Sequence, residues 1–113
     1  MDVQATTKYV RMSPSKVGEV TRQIQGLSAS RALELLRAIP RKSARLVEKT
    51  LKSAIANASD PNSFNLAAEK LRVKLAVANE GSRMKRWQPK ARGSAGPIIK
   101  RTSHVHVVVT EEE

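Results

Sequence analysis

Two segments of alternating residue type enclose a basic stretch, and this arrangement constrains the fold most. The first segment, "LRVKLAVANE" at residues 71–80, is predicted to be a half-buried strand with Leu71, Val73, Leu75 and Val77 on its inner face. The second, "RTSHVHVVVT" at residues 101–110, is predicted to be a strand with Ser103, Val105, Val107 and Val109 on one face. Because Pro and Gly punctuate the stretch between them, the two strands are predicted to pair as an antiparallel hairpin.

Three amphipathic helical patterns precede the hairpin. In "SPSKVGEVTRQIQG" Ser13 is a predicted N-cap, Pro14 the first helical residue and Gly26 the stop. A second helix is predicted between a Ser28 cap and Pro40, and a third helix reaches about residue 58. The predicted apolar stripes are Val17, Val20 and Ile24, then Ala32, Leu33, Leu36 and Ile39, then Ala44, Val47, Leu51, Ala54, Ile55 and Ala58. Residues 3–10 alternate weakly and predict a short strand.

These elements predict an α+β fold in which three helices pack on a small antiparallel three-stranded sheet with a long protruding β-hairpin. At 113 residues the chain is expected to form one domain. We expect its body to comprise residues 1–80 and 98–113, and a basic hairpin arm to comprise about 81–97. The arm has few apolar side chains, so we expect a partner to order it.

The charge distribution predicts a polyanionic partner. Residues 1–80 carry fourteen Lys and Arg against seven acids, whereas residues 81–110 carry seven against none, and the whole chain has a formal charge of +11. So much positive charge repels itself in the free protein, and nucleic-acid phosphates would compensate for it. The hairpin cations are Arg83, Lys85, Arg86, Lys90, Arg92, Lys100 and Arg101, and a second row on the third helix comprises Lys42, Arg45, Lys49 and Lys52.

Other chemistries find little support in the sequence. There is no Cys, and His104 and His106 share one predicted strand face without the further ligands that a metal site needs, so we expect no metal and no cofactor. The acids are scattered singly, and no nucleophile triad or phosphate-loop motif occurs, so we expect no enzymatic activity. No apolar run is long enough to span a membrane, and we expect a soluble intracellular protein.

Four motifs together resemble the bacterial ribosomal protein L22 (uL22) family of the large, 50S subunit. They are "VRMSPSKV", "RKSARLVEKTLKSAIANA", "VANEGSRMKRWQPKARGSAG" and "IIKRTSHVHVVV", and the resemblance extends from about Tyr9 to Val109. It implies a structural component of the large subunit that binds and organises ribosomal RNA. It also implies that the hairpin tip lines the nascent-peptide exit tunnel. The implied partners are ribosomal RNA, neighbouring large-subunit proteins and the nascent peptide, with no membrane and no homo-oligomer, in cytoplasmic or organellar ribosomes.

The charge pattern and the resemblance together assign residues to these roles. Those expected to contact ribosomal RNA are Arg11, Lys16, Arg41, Lys42, Arg45, Lys49, Lys52, Arg83, Lys85, Arg86, Trp87, Lys100, Arg101 and His104. The tip expected to line the tunnel comprises Gln88, Pro89, Lys90, Ala91, Arg92, Gly93 and Ser94. Many relatives have Arg at the position of Ser94 and a charged or polar residue at that of Pro97, which reduces the charge expected at this tip.

Three alternatives stay open at this point. Trp87 either stacks on an unpaired base or packs across the hairpin. A non-ribosomal architectural nucleic-acid-binding protein would also use a basic β-arm. A small enzyme that acts on RNA would require an essential His104 or carboxylate.

Overall fold

A three-stranded antiparallel sheet with helices on one face forms the fold. The computed structural model describes residues 2–62, 66–67, 70–89, 93 and 95–111, and for residues 82–89 and 95–100 it describes the backbone alone. The strands are β1 (Asp2–Val10), β2 (Leu71–Pro89) and β3 (Ala95–Glu111), in the order β1-β3-β2. The helices are α1 (Pro14–Ile24), α2 (Ala29–Ala38) and α3 (Lys42–Ser59). The predicted α+β architecture is therefore confirmed.

The helix boundaries lie where the capping residues predict them. Pro14 is the first residue of α1, and the Ser28 side chain accepts a hydrogen bond from the Arg31 backbone N–H at the start of α2. Ser13 occupies the N-cap position of α1, but its hydroxyl lies 3.4 Å from that of Ser15 and does not cap the helix. Gly26 follows α1 with φ of +84°, a left-handed conformation that glycine adopts without steric cost.

The core lies between the helices and the inner face of the sheet. The helix residues expected to be buried contact the core as predicted, although Leu33, Ile39 and Ile55 are only partly buried at its margin. The fully buried β3 residues are Ser103, Val105, Val107 and Val109, as predicted, while His104 and His106 share the opposite face. Since aliphatic side chains dominate this core, its stability depends on close packing of many small contacts.

A β-bulge in β2 overturns one predicted strand face. Val73 pairs with Val109 and Leu75 with Val108, so Lys74 is an extra residue without an equivalent on β3. An extra residue shifts the alternation that follows it by one position. The predicted burial of Leu75 and Val77 is therefore wrong, since Leu75 is 38% exposed and Ala76 is fully buried instead.

The hairpin extends beyond the third strand. Pairing between β1 and β3 ends at Val10 and Ser103, whereas β2 and β3 stay paired to Pro89 and Ala95. Two further bulges adjoin this transition, one in β1 between Thr7 and Val10 and one in β2 between residues 80 and 83. Bulges generally bend strands and increase their twist, and both of these lie where the two-stranded part begins.

Shortening the hairpin tests how far the core depends on it. Replacing residues 84–100 by Asn-Gly would join Arg83 to Arg101, which are register partners, through a two-residue turn. We expect cooperative urea unfolding to persist, because the core that the structure describes is built from residues 3–58, 71–76 and 105–109, which all remain in the shortened chain.

The control is Leu51→Ala in the full-length chain, which we expect to lose about 2–5 kcal/mol of unfolding free energy because it opens a cavity in the core. A shortened chain without a cooperative transition would contradict the independence of the core from the hairpin.

Candidate nucleic-acid interface

An open depression of about 430 Å³ lies where α1 meets the start of α3. Its lining residues are Met12, Lys16, Glu19, Arg41, Lys42 and Ser43. Arg41 forms an ion pair with Glu19 at 2.5 Å, whereas Lys16 and Lys42 have no such carboxylate among the described residues. The first turn of α3 contains no acid, and its free backbone N–H groups add positive potential. The structure thus brings Lys16, Arg41 and Lys42 together in a site suited to an anion.

Two residues of the predicted cationic row on α3 form ion pairs with a nearly buried carboxylate. The Glu48 side chain is 11% exposed and lies 3.2 Å from both Arg45 and Lys52, and 3.4 Å from Arg37 on α2. The hydrogen bond from Lys52 lowers the pKa of Glu48, and those from Arg45 and Arg37 lower it further, against the raising effect of desolvation. One negative charge is therefore shared by three cations, which leaves this cluster positive.

Arg45 also has a structural role that its position in the row did not reveal. Its guanidinium donates to the backbone oxygens of Leu36 and Arg37 at 3.3 and 3.2 Å. A cation at these carbonyls stabilises the C-terminal end of α2 and ties it to α3. Among the four residues of the row, Lys42 and Lys49 are exposed and make no ion pair within the described part of the chain. These two side chains are the ones most available to a phosphate.

His104 lies where the hairpin leaves the three-stranded sheet and is held from two sides. Its Nδ1 accepts a hydrogen bond from the Tyr9 backbone N–H at 3.1 Å, so the neutral imidazole carries its proton on Nε2. The Tyr9 ring meets the imidazole edge to face, with centroids 4.9 Å apart. On the β2 side Gly81 leaves room for the imidazole, because a Cβ built there would lie 3.2 Å from His104 Cε1.

Two predicted RNA contacts flank this junction. Arg11 follows the last residue of β1, and Arg101 comes two residues before Ser103, the β3 partner of Val10. Both arginines are exposed. The other histidine, His106, is engaged within the sheet, since its Nδ1 lies 2.8 Å from the Thr6 hydroxyl.

The hairpin register places one pair of like charges directly opposite each other. Arg83 pairs with Arg101, and Met84 with Lys100, while Lys85 and Arg86 are opposite Ile99 and Ile98. Like charges at directly opposed positions destabilise an isolated strand pair, and a polyanion at this point would relieve the repulsion. Trp87 is opposite Pro97, and because only its backbone is described, stacking and cross-hairpin packing both stay predictions.

The predicted tip lies partly outside the described residues. Gln88 and Pro89 end β2 opposite Gly96 and Ala95, and Gly93 has φ of +74°. Lys90, Ala91, Arg92 and Ser94 lie outside the described residues. The left-handed conformation of Gly93 is what a turn requires, and it agrees with a chain reversal between the strands.

Within the described residues, no cluster of His, Asp and Glu is arranged to hold a metal ion. None of the described helices is long and apolar enough to span a membrane.

Two residues of this surface were missed by the sequence reasoning. Arg37 belongs to the Glu48 cluster, and its position one turn before Pro40 offered no signal of a contact with α3. Tyr9 has φ of +58° in the β1 bulge, a conformation that costs a residue other than glycine about 1–3 kcal/mol. Weak alternation in residues 3–10 predicted a strand but could not predict where it would bulge.

Comparison with known proteins adds an independent finding. A family profile described as "Ribosomal protein L22p/L17e" matches residues 5–110. The chain is similar to proteins called "Large ribosomal subunit protein uL22". It is 51% identical over 111 residues to that of Opitutus terrae, with 98% of this chain and 96% of the relative covered. It is 50% identical over 113 residues to that of Finegoldia magna, with 100% of this chain and 99% of the relative covered. It is 44% identical over 113 residues to that of Clostridioides difficile, with both chains covered completely.

Substituting Gly81 tests the packing at the hairpin junction. A Cβ at Gly81 would lie 2.6 Å from Thr102 Oγ1, a buried and stiff side chain, so Gly81→Ala is expected to lower the unfolding free energy by about 1–3 kcal/mol. In Gly18→Ala, a matched control inside α1, the nearest atom is 3.9 Å away, and we expect a gain of about 0.5–1 kcal/mol. Urea denaturation measures both changes. Equal effects of the two substitutions would contradict the close packing at Gly81.

Removing the Glu48 charge tests the cationic cluster. Because the folded pKa of Glu48 lies below its unfolded value, its stabilising contribution is complete above an unfolded pKa of about 4.3 and is lost as pH falls through the folded value. Glu48→Gln should therefore be less stable than the unaltered chain near neutral pH, and the two should converge in acid. Glu34→Gln, at an exposed acid on α2, is the control and should show no such convergence. Urea unfolding across the acid range measures the difference, and a gap that stayed constant would refute the ion cluster.

Proposed function

Because the chain belongs to the ribosomal protein L22p/L17e family, we propose that it binds and organises ribosomal RNA as a structural component of the large ribosomal subunit. The single observation that carries this proposal is the surface of cations left without an internal counter-charge. Lys16, Lys42 and Lys49 are exposed on α1 and α3. Arg11 and Arg101 are exposed at the junction where the hairpin leaves the three-stranded sheet. They are not neutralised within the described part of the chain, and phosphates would neutralise them.

The arrangement of these cations favours a folded RNA over a single straight duplex. One group lies on the helices, another lies where the hairpin leaves the three-stranded sheet, and a third continues along the hairpin in Arg83, Lys85, Arg86 and Lys100. Surfaces that face in different directions can hold several RNA segments at fixed positions relative to one another. We therefore assign the α3 row and the α1–α3 depression to anchoring the body, and the hairpin flanks to contacts with converging RNA segments.

The hairpin tip is assigned to the nascent-peptide exit tunnel. The support is the shape of the chain, whose two-stranded part continues well beyond β1 and whose longest principal extent is 63 Å. Residues 88–94 would then face the emerging peptide, and His104 and Trp87 would contact RNA nearer the body. We expect one copy of the chain in each large subunit, beside neighbouring ribosomal proteins in the cytoplasm, and no enzymatic activity.

Replacing the unpaired cations tests the RNA-binding proposal. The double variant Lys42→Ala/Lys49→Ala removes two charges that make no ion pair within the described residues, and we expect weaker binding to large-subunit ribosomal RNA. The slope of log affinity against log salt should become shallower by roughly 0.7–0.9 for each lost phosphate contact. Filter binding at several salt concentrations measures both quantities.

Lys74→Ala is the control, because Lys74 is held 2.6 Å from Asp2 at the other end of the sheet. An unchanged slope in the double variant would argue against phosphate contacts on α3. A preference for duplex DNA at matched salt, or failure of the intact protein to co-sediment with the large subunit in cell extract, would overturn the ribosomal assignment.

A further inference from the structure

We propose that the exposed ring of Tyr9, braced by His104, is a stacking platform for an unpaired base of the large-subunit ribosomal RNA. The inference rests on the proposed function and adds a mode of recognition to it. The platform lies at the point where β1 ends and the two-stranded part of the hairpin begins. Neither the charge pattern nor the family resemblance identified Tyr9 as a binding residue.

The exposure of Tyr9 is unusual for an aromatic side chain. It is 62% exposed, and among the residues whose side chains are described Leu75 is the one other large hydrophobic residue that is exposed, at 38%. Tyrosine combines an apolar ring with a polar hydroxyl, and rings of this kind are commonly buried in cores or in interfaces. The core lies on the opposite side of the sheet from His104, so the Tyr9 ring against His104 contributes little to it.

The backbone at Tyr9 is held in an unfavourable conformation. A φ of +58° suits Gly or Asn, and it is an outlier for a bulky residue. The surrounding pairs Thr7–Val105 and Val10–Ser103 hold the bulge in place, and the Tyr9 N–H is bound to His104. Conformational strain of this kind is concentrated at functional sites, where the surrounding structure maintains it. A tyrosine at a position that favours Gly therefore points to a use for the ring.

The contact with His104 leaves aromatic surface available. The two rings are inclined at 85°, so the imidazole covers at most one face of the phenol ring. A nucleobase could stack on an uncovered face of Tyr9, with the imidazole keeping the ring from rotating away. Gly81 permits this arrangement, because a side chain there would displace the imidazole.

The charges around the ring match a nucleotide. Lys8 and Arg11 flank Tyr9 along the chain, and both are exposed. No Asp or Glu occurs in residues 3–18 or 81–110. Glu80, the acid nearest in register, pairs with Ser103 and therefore belongs to the other face of the sheet from His104. An aromatic ring among cations is the combination that recognises unpaired bases and their phosphates.

The experiment measures binding of the full-length chain to a protein-free transcript of large-subunit ribosomal RNA. Tyr9→Asn removes the ring while keeping a residue that accepts the left-handed conformation. We expect its affinity to fall roughly 5- to 150-fold, the range found for one lost base stack, without a change in the salt slope. Tyr9→Phe keeps the ring and should bind like the unaltered chain, whereas Tyr9→Leu should lose affinity as Tyr9→Asn does.

Two further readouts separate stacking from folding and from charge. Urea unfolding of Tyr9→Asn should show a free energy no lower than that of the unaltered chain, because the backbone strain is relieved. Ultraviolet cross-linking to transcript that contains 4-thiouridine should recover a peptide with Tyr9 attached to a base.

The outcomes distinguish this inference from the proposed function. If Tyr9→Asn and Tyr9→Leu both bind as tightly as Tyr9→Phe while Lys42→Ala/Lys49→Ala still weakens binding, the stacking platform is wrong and the RNA-binding function stands. If Tyr9→Leu keeps the RNA affinity of the unaltered chain and Tyr9→Asn loses it, the contact is apolar packing and the inference fails. An intact chain without preference for the ribosomal transcript would overturn both.

Discussion

Strand β3 is the element on which the rest of the structure depends, because it must pair with a different set of neighbours along its length. Near its C-terminal end it lies between β1 and β2 and contributes Val105, Val107 and Val109 to the core. Towards its N-terminal end it pairs with β2 alone. The bulge of β1 and the second bulge of β2, between residues 80 and 83, both occur opposite residues 101–105, where the change takes place. Tyr9 and Gly81 belong to those bulges, and both lie against His104, so the transition also assembles the junction site.

Electrostatics divides the cations of the body into two classes. Arg37, Arg45 and Lys52 share the Glu48 carboxylate, and Arg41 is paired with Glu19, so these residues already contribute to holding helices together. A second class is exposed without an ion pair in the described residues, and we assign RNA phosphates to it. The distinction matters because removing a cation that shares the nearly buried Glu48 carboxylate is expected to weaken folding as well as the proposed contact with RNA. Replacing a cation of the second class is expected to change RNA binding without changing the stability of the fold.

Much of the fold was predictable because local rules decide it. Pro14, Ser28 and Gly26 mark helix boundaries through their own backbone preferences, and the alternation in residues 101–110 correctly separates the buried valines from the two histidines. The predicted faces of Leu75 and Val77 were wrong, because periodicity assumes an uninterrupted strand and cannot locate a bulge at Lys74. For the site, the α3 row was predictable from helical spacing. Its ion pairing was not, since Arg37 reaches Glu48 from another helix.

The sequence by itself determined the excess of positive charge, the helices, the strand types and the family to which the chain belongs. Each of these follows from composition or from residues close together along the chain. The tertiary structure decided which cations remain free, which face of β2 is buried after the bulge, and that Tyr9 meets a histidine 95 residues away. These outcomes depend on register and packing between distant segments, and a one-residue change in register reverses the face to which a side chain points.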